Sequence, residues 1–188
     1  MNNELKKIIL SDLKRYGYKC EKDMSFSEKK ELYGYRYTKY LRKAKYYKEN
    51  KKTIRFLYNR LMLSHYTEKF GFSISYGTKI GKGFYLGHIG SIVVNSAAVI
   101  GNNVNLSQGV TIGIAHGEKN SGVPIIGNNV WIGANATVVG GITIGDDVMI
   151  APNTFVNFNV PSHSVVILPK ANIISKEKAT EKYIENKV

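Results

Sequence analysis

The chain has 188 residues, enough for one domain with an appendage and too few for two large domains. It is 43% hydrophobic and 22% charged, carries a formal net charge of +13 and holds a single cysteine, Cys20, which excludes an internal disulfide framework and a thiolate zinc cluster built from one chain. No apolar run approaches the roughly 20 residues of a membrane span and residues 1–7 do not read as a secretory leader, so a cytoplasmic protein is expected.

Charge and composition divide the chain near Gly71. Residues 1–70 hold 19 Lys/Arg against 8 Asp/Glu and ten of the 13 tyrosines, whereas residues 71–169 hold three charges of each sign and 16 of the 18 glycines. The division implies a basic, tyrosine-rich α-helical region over residues 1–71, a second region over 72–169 and a C-terminal tail over 170–188, whose last residues read as a short polar helix or a loose end. In the first region Leu5, Ile8, Ile9 and Leu13 recur at helical spacing and stop before Gly17. Ser25 and Glu28 have the spacing of a capping box, which predicts a long helix with Tyr33, Tyr37, Leu41, Ala44 and Tyr47 as its buried stripe. A further helix, with Ile54, Leu57, Tyr58, Leu61 and His65 on its apolar face, is predicted to end at Gly71, His65 being a satisfied core residue. Lysine and arginine among tyrosines is also a nucleic-acid pattern. Here the tyrosines keep the period of a buried helix face, so no nucleic-acid partner is expected, and peripheral attraction to an anionic membrane or a diphosphate-linked lipid carrier stays open.

From Ile74 onward an aliphatic residue recurs every six positions. Ile126, Ile132, Val138, Ile144, Ile150 and Val156 form one series, and Val130, Ala136, Ile142, Val148 and Thr154 form a second, four residues later. Two inward positions in each six describe short flat strands, three to a coil, stacked as a triangular prism, so the fold predicted is mainly β, a left-handed parallel β-helix. The register slips twice. Ile74, Ile80 and Leu86 share one phase, Val94 to Ile112 come two residues late, and the series from Ile126 is displaced again. Extra residues cannot remain in a close-packed coil and must bulge outward, and the interval from Ile112 to Ile126 leaves room for an extruded loop. One interruption contains His88 and the other His116. The flat outer faces suit a homotrimer, with Trp131 at an outward turn position filling a groove between chains.

The segments Lys79 to Val94, Asn105 to Gly113, Trp131 to Ala136 and Val160 to Ser164 resemble the hexapeptide-repeat acyltransferases, in the branch that includes serine acetyltransferases and the sugar O-acetyltransferases of surface-polysaccharide loci. The resemblance implies acetyl-CoA as co-substrate, no metal, and a histidine general base, which it places at His88; His116 is the second candidate, since a sister branch keeps its base in that loop. Imidazole titrates near pH 6.5, which suits it to take an alcohol proton. The resemblance also sets the pantetheine arm beside Gly113, Ile114, Ala134, Ala151 and Pro152, and the nucleotide end near Asn157, Phe158 and Lys170. Serine acetyltransferases orient their base with an aspartate where this chain has Ser73, and hold the amino acid with charged residues where it has Gly87, Gly122 and Val123. A site without those charges is expected to take a carbohydrate hydroxyl in surface-polysaccharide synthesis. Serine O-acetylation is the alternative, and a non-catalytic saccharide- or surface-binding β-helix is the alternative of another class. A zinc site of the kind that a carbonic anhydrase builds on this fold needs a His-x4-His pair that the chain lacks, and His163, in the closing segment, reads as structural.

Overall fold

A computed structural model describes residues 3–117 and 120–169, together with Ser175 and Glu177. Among the described residues four α-helices and one 3-10 turn (Glu21–Asp23) precede the strands: α1 (Asn3–Lys14), α2 (Phe26–Glu31), α3 (Tyr33–Glu49) and α4 (Thr53–Phe70). Helix α1 buries Leu5, Ile9 and Leu13 against Met24 and Tyr35. The capping box forms, with the Glu28 N–H donating to the Ser25 hydroxyl (3.2 Å) and the Ser25 N–H to the Glu28 carboxylate (2.6 Å). The helix it opens is nevertheless only six residues long, because Leu32 leaves helical dihedrals (φ −75°, ψ 65°) and packs against the α1 cluster. That break brings Gly34 onto the prism, where a Cβ would overlap the Leu86 carbonyl and the Tyr16 hydroxyl.

Helix α4 also corrects the sequence reading. It buries Phe56, Asn59, Leu63, Tyr66 and Phe70, while Ile54, Leu57, Tyr58, Leu61 and His65 are exposed. The helix is apolar on two opposite faces, and aromatic packing decides which one is inside. Tyr66 stacks on Phe70 at 5.0 Å, Phe70 meets Phe72 at 6.0 Å, and Tyr37 meets Phe72 edge-on at 5.2 Å. Gly71 ends α4 in the left-handed conformation (φ 73°) that its lack of a side chain permits.

Among the described residues fourteen short parallel strands follow in three sheets. The first sheet stacks β1 (Phe72–Ile74), β4 (Ile92–Val94), β7 (Thr111–Gly113), β10 (Thr137–Val139) and β13 (Phe155–Val156). The second stacks β2 (Lys79–Ile80), β5 (Val99–Ile100), β8 (Ile125–Ile126) and β11 (Thr143–Ile144). The third stacks β3 (Tyr85–Leu86), β6 (Asn105–Leu106), β9 (Trp131–Ile132), β12 (Val148–Ile150) and β14 (Ser164–Val166). The result is the left-handed β-helix, about five turns long, that the repeat predicts. Ladder pairs such as Ile80 with Ile100 and Leu86 with Leu106 put like aliphatics above one another inside the prism, each buried side chain contributing roughly 1.5–3 kcal/mol. The two slips are real. Ile74 pairs with Val94 and Ile112 with Val138, so those coils are longer than the one from Val94 to Ile112. One corner turns through Gly83, Asn103, Asn129 and Asp147, all at positive φ between 55° and 70°, which glycine, asparagine and aspartate tolerate better than other residues. Because that turn is taken by Asn129, Trp131 lies on strand β9, half-buried and facing outward, and not at a turn as its place in the repeat suggested.

The helices have a definite task at the open edge of the first coil, where backbone N–H and C=O groups lack a preceding strand. The Tyr37 hydroxyl donates to the Ile74 carbonyl (2.9 Å) and accepts from the Ile74 N–H (3.1 Å). Tyr16 does the same for Leu86, at 3.0 and 3.1 Å. Arg42 donates to the Ile80 and Gly81 carbonyls at 2.7 and 2.5 Å, and Asp12 accepts from the Phe84 N–H at 2.9 Å. Arg42 and Asp12 are themselves a buried ion pair with contacts of 2.9 and 3.1 Å. Burial pushes the Asp12 carboxyl above its ordinary value, opposed by the Arg42 charge and by the Arg42, Phe84 and Gly83 donors. The basic region is therefore a stopper on the prism, joined to it through one continuous core.

Candidate functional site

His88 lies at the tip of a bulge between β3 and β4, at the corner joining the third sheet to the first. The bulge is pinned at both ends: Tyr16 holds both backbone groups of Leu86, and the Gly90 N–H donates to the Phe70 carbonyl at 3.0 Å. The rings of Tyr16 and Tyr85 lie 4.4 Å apart. Burial pushes the Tyr16 hydroxyl well above its usual range, the Leu86 contact opposing, so the phenol stays neutral and keeps its donor. Between these anchors His88 and Ile89 are exposed, and among the described residues the His88 imidazole has no hydrogen-bond partner. Ser73 faces outward on β1, in register with Val93. On later coils the same corner carries Gln108, Ala134 and Pro152, linked by Asn135 N–H to Gln108 carbonyl (2.9 Å) and Asn153 N–H to Ala134 carbonyl (2.8 Å).

The second interruption follows β7, at the corner joining the first sheet to the second. Residues from Ile114 form a hairpin in which Ala115 and Gly122 exchange backbone hydrogen bonds of 3.0 and 3.1 Å. The hairpin folds back on the prism, its Asn120 carbonyl accepting from the Gly141 N–H (2.9 Å) and its Asn120 side-chain amide donating to the Asn157 carbonyl (2.7 Å). A cavity of about 350 Å³ opens there, lined by Ala115, Asn120, Val139, Phe155, Asn157 and Phe158. Apolar walls with exposed amide groups suit a narrow chain that carries amides of its own. His116 is exposed on the hairpin.

The residues singled out from sequence therefore fall into two groups at opposite edges of the first sheet. His88, Ala134, Ala151 and Pro152 share one corner; Gly113, Ile114, His116, Asn157 and Phe158 share the other. Lys170 lies outside the described residues. The larger cavity of about 420 Å³ beside Trp131 is lined by Arg15, Asn103, Asn105 and Asn129 and holds neither histidine. His163 ends the corner ladder, its Nδ1 2.8 Å from the Asp147 carboxylate on the surface. Among the described residues no group of three or more His, Cys, Asp or Glu side chains is placed to hold a metal ion, and no helix is long and apolar enough to cross a membrane. Sequence reasoning missed Tyr16 and Asn120. Tyr16 is one tyrosine among ten in a basic region, with nothing in its spacing to mark it; Asn120 carried a signal, as an amide in a loop inserted beside a groove.

Comparison with known proteins accords with this geometry. The profile of the bacterial transferase hexapeptide (six repeats) matches residues 124–157. The prism is a hexapeptide-repeat β-helix, similar to that of the matched transferases. Within that class the chain is similar to serine acetyltransferases. It is 37% identical over 108 residues to the serine acetyltransferase of Helicobacter pylori, a match covering 57% of this chain and 63% of that one. It is 40% identical over 111 residues to serine acetyltransferase 2 of Arabidopsis thaliana, covering 59% of this chain and 34% of the relative. Among solved structures, serine acetyltransferase isoform 3 of Entamoeba histolytica in complex with cysteine superposes with a TM-score of 0.73 at 26% identity, over 95% of this chain and 64% of that one. The soybean serine acetyltransferase complexed with serine gives 0.72 at 28%, over 89% and 69%. The chain thus spans between a third and two thirds of the length of these curated relatives.

These findings overturn the expectation of a carbohydrate acceptor in polysaccharide synthesis, since the relatives at 37–40% identity are serine acetyltransferases. The expectation rested on the neutral residues Gly87, Gly122 and Val123. Gly87 lies at the corner that carries His88, and Gly122 and Val123 lie at the corner that carries His116.

Proposed function

We propose that this protein is an acetyl-CoA-dependent serine O-acetyltransferase whose site forms between adjacent copies of the chain. The similarity to serine acetyltransferases over more than half of the chain supports the reaction. The observation that carries the shared site is the separation of the two corners: His88 and the groove beside Asn120 lie at opposite edges of one sheet. A threefold ring uses two different patches of each protomer and so brings one corner of a chain against the other corner of its neighbour.

In this reading His88 takes the proton of the serine hydroxyl as its oxygen attacks the thioester carbonyl carbon. The tetrahedral adduct collapses by breaking the C–S bond, and the imidazolium returns the proton to the departing CoA sulfur. General-base assistance of this kind is worth roughly 10² to 10⁴ in rate. The pinned bulge supports the role, because it holds an exposed imidazole at a fixed place without occupying its nitrogens. The groove lined by Asn120, Val139 and Phe158 takes the pantetheine arm.

Release of free thiol from acetyl-CoA with L-serine as acceptor tests the reaction. His88→Ala is expected to lower kcat by about 10² or more; if it keeps most of its turnover, His116→Ala becomes the decisive variant. Mixed assemblies of His88→Ala with a groove-blocking Ala115→Trp chain test the shared site. A ring of randomly mixed subunits regains about a quarter of intact sites if each site draws on two chains. No recovery in demonstrably mixed rings refutes it.

A further inference from the structure

Among the described residues the outward side of α4 is uncovered, save that the Tyr58 hydroxyl meets that of Tyr40. Ile54, Leu57, Tyr58 and Leu61 are 85, 54, 58 and 69% exposed. Their i, i+3, i+4, i+7 spacing makes one ridge, which His65 extends to about 17 Å, diametrically opposite the buried stripe of the same helix. At its N-terminal end Lys48, Lys51 and Lys52 join Tyr47, Phe56 and Leu57 around a cavity of about 260 Å³. Arg55 and Arg60 flank the ridge on either side. Among the described residues none of these five cations forms an ion pair; Lys48 and Arg55 lie over the rings of Phe56 and Tyr47, at 5.1 and 5.8 Å. The nearby acidic residues, Glu49 and Glu68, stand at the two ends.

We propose that this ridge docks on an anionic phospholipid bilayer, with Ile54, Leu57, Tyr58 and Leu61 at the acyl boundary and the flanking lysines and arginines among the phosphates. An apolar stripe bordered by cations on a helix too polar to span is the pattern of interfacial binding. Charge complementarity selects this occupant. The helical region carries 19 basic against 8 acidic residues, so a second copy of the same face would set cations against cations, whereas an anionic leaflet neutralises them. The apolar side chains that anchor the contact are those the repeat of α4 leaves outside once Phe56, Leu63, Tyr66 and Phe70 have taken the inside.

Flotation of the full chain with vesicles tests the proposal independently of any acetyl transfer. The protein is expected to float with phosphatidylcholine vesicles that contain phosphatidylglycerol, at low salt, and not with phosphatidylcholine alone. Leu57→Glu/Leu61→Glu is expected to weaken binding roughly ten-fold or more, as is Lys51→Glu/Lys52→Glu, with unchanged helical circular dichroism. Absence of flotation by the unaltered chain overturns the proposal, and so does flotation that the ridge variant leaves undiminished. A fall in assembly mass on ridge substitution, read by light scattering, assigns the face to contacts between copies and also overturns it.

Discussion

Arg42→Ala removes the centre of the stopper. The guanidinium is almost fully buried and makes four contacts at once: two to the Asp12 carboxylate and one each to the Ile80 and Gly81 carbonyls. Deleting it leaves a buried carboxylate without its counter-charge, a loss of about 3–5 kcal/mol. For a chain of this size that corresponds to a fall in Tm of roughly 6–20 °C. Thermal melts by circular dichroism at several pH values measure it, and the pH dependence has a definite sign. Burial already holds the Asp12 carboxyl above its ordinary value. Without Arg42 it rises further, so the folded variant keeps a proton that the unfolded chain gives up. The variant is then most stable below the unfolded pKa of about 3.9 and loses stability as pH climbs through the folded value, so its deficit against the unaltered protein is smallest in acid. Adding Asp12→Asn should restore part of the loss at neutral pH. A deficit below about 1 kcal/mol, or one that widens in acid, refutes this account of the pair.

Gly34→Ala drives a Cβ into the Leu86 carbonyl and should abolish soluble expression or lower Tm more than any surface change, which a melt or a yield comparison reads directly. Tyr16→Phe orphans the Leu86 N–H and carbonyl together and should cost about 1–3 kcal/mol in a denaturant titration. Ser25→Ala breaks an exposed cap of a six-residue helix; it should cost about 0.5–2 kcal/mol in the same titration. Asn120→Ala unties the hairpin from Asn157 and should raise KM for acetyl-CoA more than it lowers kcat, measured by thiol release.

What could be read before the structure was known divides along physical lines. The prism was legible because each coil repeats the same steric demand: an aliphatic residue inside at every sixth position, and a residue tolerant of positive φ, such as Asn103 or Asn129, at the corner. The interruptions were legible for the same reason, since a broken period shows where a coil must bulge. Helix α4 was not, because both Ile54/Leu57/Leu61 and Phe56/Leu63/Phe70 satisfy a helical period, and only contact with Tyr37 and Phe72 chooses between them. Nor was the stop at Leu32, where a sound cap opens a helix that tertiary packing cuts short. The acceptor was misjudged because the missing charges at Gly87, Gly122 and Val123 were given more weight than the likeness to serine acetyltransferases that the repeat motifs already carried. The task of the helical region was hidden because, Arg15 to Asn105 apart, its hydrogen bonds to the prism run to main-chain atoms, which leave no trace in the pattern of side chains.

That last property reaches beyond this one molecule. Tyr16, Tyr37, Arg42 and Lys45 all end their hydrogen bonds on peptide groups of the first coil, so what those bonds recognise is the triangular outline of the solenoid and not the identity of its side chains. A lid of this kind is transferable: grafted onto a different solenoid of equal cross-section, it would seal the terminus with few changes to the host, giving a modular end-piece for repeat architectures.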